Sequence, residues 1–132
     1  MPNLAVVLKM GAPIFILVGL FHLFYGVGAD VLLGATIPAE AVSDPVLDSQ
    51  NRFYGISFTI YGILLFLCAT DIPKYSAVLK CVIWVFFAAG VARLVSIGIY
   101  GMPSVLVLLL LASELLLPPF LAVWLSRVLS ES

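Results

Sequence analysis

Residues 105–125, VLVLLLLASELLLPPFLAVWL, decide the class of this fold. The stretch is 21 residues long and Glu114 is its one charged side chain. At about 1.5 Å per helical residue it covers the roughly 30 Å hydrocarbon core of a bilayer. Its apolar residues run continuously instead of alternating, so it does not read as a strand of a membrane barrel. Working outward, similar runs occupy about 8–28, 53–70 and 76–100. The expected fold class is therefore all-α, a transmembrane four-helix bundle, with residues 1–132 as a single domain. Inside hydrocarbon each backbone N–H and C=O needs a partner in its own segment, which a helix provides.

The composition agrees. The chain is 64% hydrophobic and only 10% charged, against about 25% charged residues in an ordinary soluble domain. A formal net charge of −1 supplies no basic surface to replace phosphate counterions, so no nucleic acid is expected as a partner. Lys9 ahead of an apolar run raises the question of a signal peptide. The segment from Gly28 to Gly34 contains Asp30 and no small-x-small cleavage site, so the first segment is expected to be retained. Cys68 and Cys81 fall near the two ends of one short connection, in neither a CxxC nor a zinc spacing, and read as ordinary thiols. No metal and no cofactor is expected.

Three connections separate the runs. Residues 35–50, with Pro38, Glu40, Asp44, Pro45 and Asp48, read as the one sizeable loop; Asp71-Ile72-Pro73-Lys74 and Gly101-Met102-Pro103-Ser104 read as tight turns. If the spans alternate, Lys9, Lys74, Lys80 and Arg127 fall on one side, which should be cytoplasmic. The expected location is the bacterial inner membrane, multi-pass, with both termini cytoplasmic. Close helix approach is expected at Gly11, Gly19 and Gly26 of the first span, Gly55 and Gly62 of the second, and Ala88, Ala89 and Ala92 of the third.

Polar residues within the runs carry the functional reading. A charge near the bilayer centre costs about 2.5–3.5 kcal/mol on insertion scales, so Arg93 and Glu114 each want a partner. Counted along their helices, Arg93 lies about 10 Å from the outer end of the third span and Glu114 about 15 Å from the outer end of the fourth. The long arginine side chain can bridge that difference. His22 lies about 12 Å from the outer end of the first span, in the same layer. Asn51 and Arg52 are expected to cap the outer start of the second helix, with Tyr54 and Tyr61 below them. Pro118 and Pro119 cannot donate to the carbonyls of Glu114 and Leu115, so a kink is expected there. The polar layer reads as a water-accessible pocket: Glu114, Arg93 and His22 as candidate catalytic residues, Asn51, Arg52, Tyr54, Tyr61, Ser96 and Tyr25 as candidate ligand contacts.

The run Asp48-Ser49-Gln50-Asn51-Arg52-Phe53-Tyr54-Gly55, then Ala92-Arg93-Leu94-Val95-Ser96 and Glu114, resembles a family of small bacterial four-span membrane proteins catalogued only as a domain of unknown function. The resemblance covers most of the chain. It implies the four-span fold and a shared polar cluster of Asn51, Arg52, Tyr54, Gly55, Arg93, Ser96 and Glu114. It implies no activity, substrate or cofactor.

Three functions compete at this point. In the first, a small lipophilic or amphipathic molecule enters from the outer leaflet and meets Arg93, Glu114 and His22. Proton-transfer chemistry of the isomerase or cyclase kind would use Glu114 or His22 to move the proton and Arg93 to stabilise negative charge. The second is a small proton-coupled exporter working as a dimer, against which stands an arginine partner that would keep Glu114 from cycling a proton. The third is an accessory or structural subunit in which Arg93 and Glu114 only fasten helices. Expected partners are membrane lipids, a lipophilic small molecule and a second copy of the chain in a homo-oligomer.

Overall fold

The structure, a computed structural model, describes residues 3–132. Among them are six helices and no strand: α1 Leu4–Tyr25, α2 Val27–Leu32, α3 Ala39–Val42, α4 Pro45–Thr70, α5 Ser76–Tyr100 and α6 Val105–Ser130. The all-α class is as expected. Four of these helices, α1, α4, α5 and α6, are long and apolar enough to cross a membrane, and the chain is a multi-pass membrane protein. Much of their apolar surface points outward: Leu109, Leu116 and Phe120 are 64%, 71% and 60% exposed. Lipid is as apolar as leucine, so such side chains carry no penalty in a bilayer, and what holds helices together must be close packing and polar contacts.

The described residues form two compact units, Val7–Phe66 and Leu67–Ser132, the latter including residues 3–6. In the first, α1 and α4 run antiparallel and meet on small residues. A Cβ built on Gly55 would lie 2.6 Å from the Gly19 carbonyl oxygen and 2.6 Å from the Leu23 nitrogen; one on Gly62 would lie 2.7 Å from the Ala12 oxygen. Ala12 and Gly19 are seven residues apart, as are Gly55 and Gly62. Seven residues make almost two helical turns, so each pair lies on one stripe and the backbones touch twice. Beside this seam Phe15 contacts Phe58 and Tyr61 at ring-centroid distances of 5.2 and 4.9 Å. Gly11, expected at a helix contact, has nothing within 4 Å of its Cβ position.

The first span ends three residues short of the expected Gly28. Gly26 turns to φ 56°, ψ −133°, after its N–H bonds the His22 carbonyl at 2.8 Å. A side chain there would also collide with Asp48 Oδ1. Positive φ and crowding together demand glycine. The expected loop over 35–50 is mostly helix. Ala39–Val42 makes one turn, and α4 begins at Pro45 because Asp44 Oδ1 accepts the N–H groups of Val46 and Leu47, both at 2.9 Å. An aspartate N-cap followed by proline at the first helical position is a strong start signal. Asn51 and Arg52 consequently sit inside α4, not at its start.

In the second unit, α5 and α6 contact one another. The buried residues of α5, Leu79, Val82, Ile83 and Gly90, and of α6, Leu111, Glu114, Pro118 and Leu125, recur at helical spacing. A Cβ on Gly90 would meet Leu115 Cδ2 at 2.9 Å and Glu114 Cβ at 3.0 Å. Helix α6 runs unbroken through Pro118 and Pro119. The expected tight turns are present: Asp71 Oδ1 accepts the Lys74 N–H at 3.1 Å, and Gly101 takes φ 92° at the end of α5.

Candidate functional site

Helix α5 carries Arg93 on the side that faces α6, and its Nε donates to Glu114 Oε2 at 2.7 Å. The Glu114 side chain is 4% exposed and that of Arg93 37%. Glycine at position 90 lets the two helices close over the base of the glutamate. A guanidinium has five N–H donors, and this bond uses one. Arg93 also lines an open groove of 290 Å³ with Ala92, Ser96, Ile97, Gly101, Pro103 and Val107. The groove is thus built from two successive turns of α5, the connection that follows and the first turn of α6.

A second cluster gathers where α1 breaks. Asp48, one turn before Arg52 on α4, accepts from Arg52 Nε at 2.7 Å and Nη2 at 3.2 Å. The same guanidinium reaches back to α1, where Nη1 donates to the carbonyls of Leu23 at 2.6 Å and Phe24 at 3.2 Å. These are among the last carbonyls of α1, which have no partner inside the helix, and a cation suits the negative end of the helix dipole. Asn51, the residue before Arg52, donates from Nδ2 to Asp30 Oδ2 at 2.8 Å. Asp30 Oδ1 lies 3.5 Å from His22 Nε2, and His22 Nδ1 lies 2.9 Å from the Val18 carbonyl.

A family model described as a domain of unknown function, DUF4345, matches residues 4–125. The chain belongs to this family. No curated protein and no solved structure matches it. The match covers α1, α4 and α5 and most of α6 of this DUF4345 member, and with them Asn51, Arg52, Arg93, Ser96 and Glu114.

The side chains singled out from the DUF4345 sequence thus fall into separate groups. Arg93 and Glu114 are in contact, and Ser96 lines the same groove as Arg93. His22 and Asn51 meet on Asp30, while Arg52 joins Asp48 to the end of α1. Tyr61 lies in the ring cluster with Phe15 and Phe58. Tyr25 and Tyr54 are 60% and 59% exposed, their rings beside Phe21 and Phe53. Such placement suits tyrosines at a membrane interface. Sequence reasoning missed Asp30 and Asp48 as members of the polar cluster. Asp48 was visible as an i,i+4 partner of Arg52 once α4 is started at Asp44. Asp30 gave no such signal, because only the turn at Gly26 brings it back to His22.

Proposed function

We propose that this chain is a protein of the bacterial inner membrane with both termini cytoplasmic, and that the groove beside Arg93 holds a small lipophilic or amphipathic molecule. The carrying observation is the division of labour on Arg93. Its charge is met by Glu114 through Nε, while its Nη groups make no hydrogen bond to the protein among the described residues. Unsatisfied donors are costly in hydrocarbon, and a ligand's polar end in the groove would meet them. The volume is near the lower bound of small-molecule pockets, about 300 Å³. Glu114 is not among the residues that line the groove and is bonded to Arg93, so its part in this reading is to hold the guanidinium in place, not to move a proton.

A neutral long-chain alcohol carrying a photoreactive diazirine tests this reading in lipid nanodiscs. Labelling is expected to concentrate on residues 92–107 and to fall severalfold in Ala92→Trp, which fills the groove while keeping Arg93 and Glu114. Even labelling along the lipid faces of α5 and α6, unchanged by Ala92→Trp, would overturn it.

The burial of Glu114 at 3% exposure and its contact with Gly90 favour a second reading, that the pair is a fastener in an accessory subunit of a larger complex. In that reading the groove holds bulk lipid only.

A further inference from the structure

An arginine in a groove is ordinarily the mark of an anionic ligand, a carboxylate or a phosphate. Arg93 differs, because its charge is already met. Its Nε donates to Glu114 Oε2 at 2.7 Å, and among the described residues this 4% exposed carboxylate pairs with no other cation. Arginine and glutamate together sum to zero. A second carboxylate on the same guanidinium would leave a net negative charge within the span, where an uncompensated charge is costly. An uncharged oxygen leaves the sum unchanged.

What the groove offers such an oxygen is a pair of donors. The four N–H groups of Arg93 that remain after the Nε bond are on Nη1 and Nη2. Ser96, three residues further along α5 and so on the same face, lines the same groove. Its hydroxyl is set apart from the others in the spans. Past the first two turns of each long helix, Ser57, Thr59, Thr70, Ser113, Ser126 and Ser130 each donate to a carbonyl three or four residues back. Ser96 Oγ makes no hydrogen bond to the protein among the described residues. A carbonyl oxygen has two lone pairs, so one such atom can accept from an Nη of Arg93 and from Ser96 Oγ together, and it brings no donor that needs a partner of its own. The remaining side chains of the groove, Ala92, Ile97, Pro103 and Val107, are apolar and suit a hydrocarbon chain beside that carbonyl.

Depth separates a free molecule from bulk lipid. Arg93 lies about 10 Å along the axis from Tyr100, the end of α5. The ester carbonyls of a phospholipid are tethered beside its headgroup at the interface, whereas a free carbonyl compound has no such tether. We propose that the groove takes a neutral carbonyl compound with a hydrocarbon chain, such as a long-chain ketone, in preference to an anion, and that its oxygen accepts from both Arg93 and Ser96. This rests on the groove reading above and adds to it the class of molecule and the part of Ser96.

The probe is a long-chain methyl ketone with carbon-13 at its carbonyl, in nanodiscs of ether-linked phospholipid, which has no carbonyl of its own. Infrared spectra are expected to show a carbonyl stretch below that of the same ketone in protein-free discs. The band should be absent in Ala92→Trp and should move part of the way back in Ser96→Ala. The ketone should also displace the diazirine alcohol from residues 92–107 at a severalfold lower concentration than the ionised carboxylate of equal chain length. Ester-linked phospholipid in place of the ether lipid should leave the ketone band intact. If alcohol labelling concentrates in the groove but no lowered band is seen, or the carboxylate competes better, the carbonyl class is overturned while the groove reading stands. Loss of the band in ester lipid overturns it too, since the lipid is then the occupant, and a band unmoved in Ser96→Ala overturns the two-donor site. Even labelling along the lipid faces of α5 and α6 overturns both readings together.

Discussion

The Nε of Arg93 on α5 lies 2.7 Å from Oε2 of Glu114 on α6, and Glu114 is the one charged side chain that is buried among the described residues. Removing either partner leaves a charge in a low-dielectric seam, a loss of about 3–5 kcal/mol for a buried pair. Exposure of the arginine places the expected cost at or below the low end. Arg93→Glu and Glu114→Arg alone should each lower the melting temperature in detergent. Combined, they preserve the attraction and reverse the field over the groove. Recovered stability with lost diazirine labelling at residues 92–107 supports a ligand site; recovered stability in a protein whose labelling is even along α5 and α6 from the start supports the fastener.

Gly55 and Gly11 make opposite predictions. A Cβ at Gly55 meets backbone atoms of α1 at 2.6 Å, which cannot move without parting the helices, whereas Gly11 has open space around it. Gly55→Val should cost about 1–3 kcal/mol as overpacking. Gly11→Ala should be neutral or stabilising by about 0.5–1 kcal/mol, since alanine loses less backbone entropy in a helix. Reversible unfolding in mixed micelles measures both, and equal losses would contradict the seam described for α1 and α4.

The break after Tyr25 rests on Gly26 and on Arg52. Gly26→Ala should cost about 1–3 kcal/mol, because alanine is strained at φ 56° and its Cβ collides with Asp48. Arg52→Lys retains the charge but is a single point donor in place of a planar fork, so it cannot serve Asp48 and the carbonyls of Leu23 and Phe24 together. Faster hydrogen exchange at the Tyr25 and Gly26 amides is the expected sign in Arg52→Lys. Unchanged exchange there would show that the end of α1 does not depend on the guanidinium.

The proposed topology rests on Lys9, Lys74, Lys80 and Arg127, which share one side if the four long helices alternate across the bilayer. Reporter fusions after residue 132 should report the cytoplasm, and insertions within residues 39–47 the periplasm. A periplasmic signal from the C-terminal fusion would reverse the orientation.

Parts of the polar architecture were legible in the sequence, and the reasons differ by residue. Arg93 and Glu114 could be paired from their depths because helical rise is regular and hydrocarbon leaves a charge few alternatives. The seam residues Gly19, Gly55 and Gly62 were legible as small residues, but Gly11 looked the same and faces open space. Which face of a uniformly apolar helix meets its neighbour is invisible to hydropathy, since lipid-facing and helix-facing positions are equally apolar. The start of α4 was written in Asp44-Pro45 and was obscured by reading proline and acidic residues as loop.

Four spans, their helical class and their charge asymmetry can be read from the chain alone, because these depend on local quantities: run length, continuity and the count of basic residues between runs. Tertiary structure alone decided that His22 meets Asp30 and that Arg52 closes the end of α1. Both contacts need α1 to stop at Gly26, and that stop depends on a backbone rotation to positive φ and on the crowding of Asp48 from another helix. Residues eight or nearly thirty positions apart are brought together by that turn and by the glycine seam, and no run of sequence contains the information by which they meet.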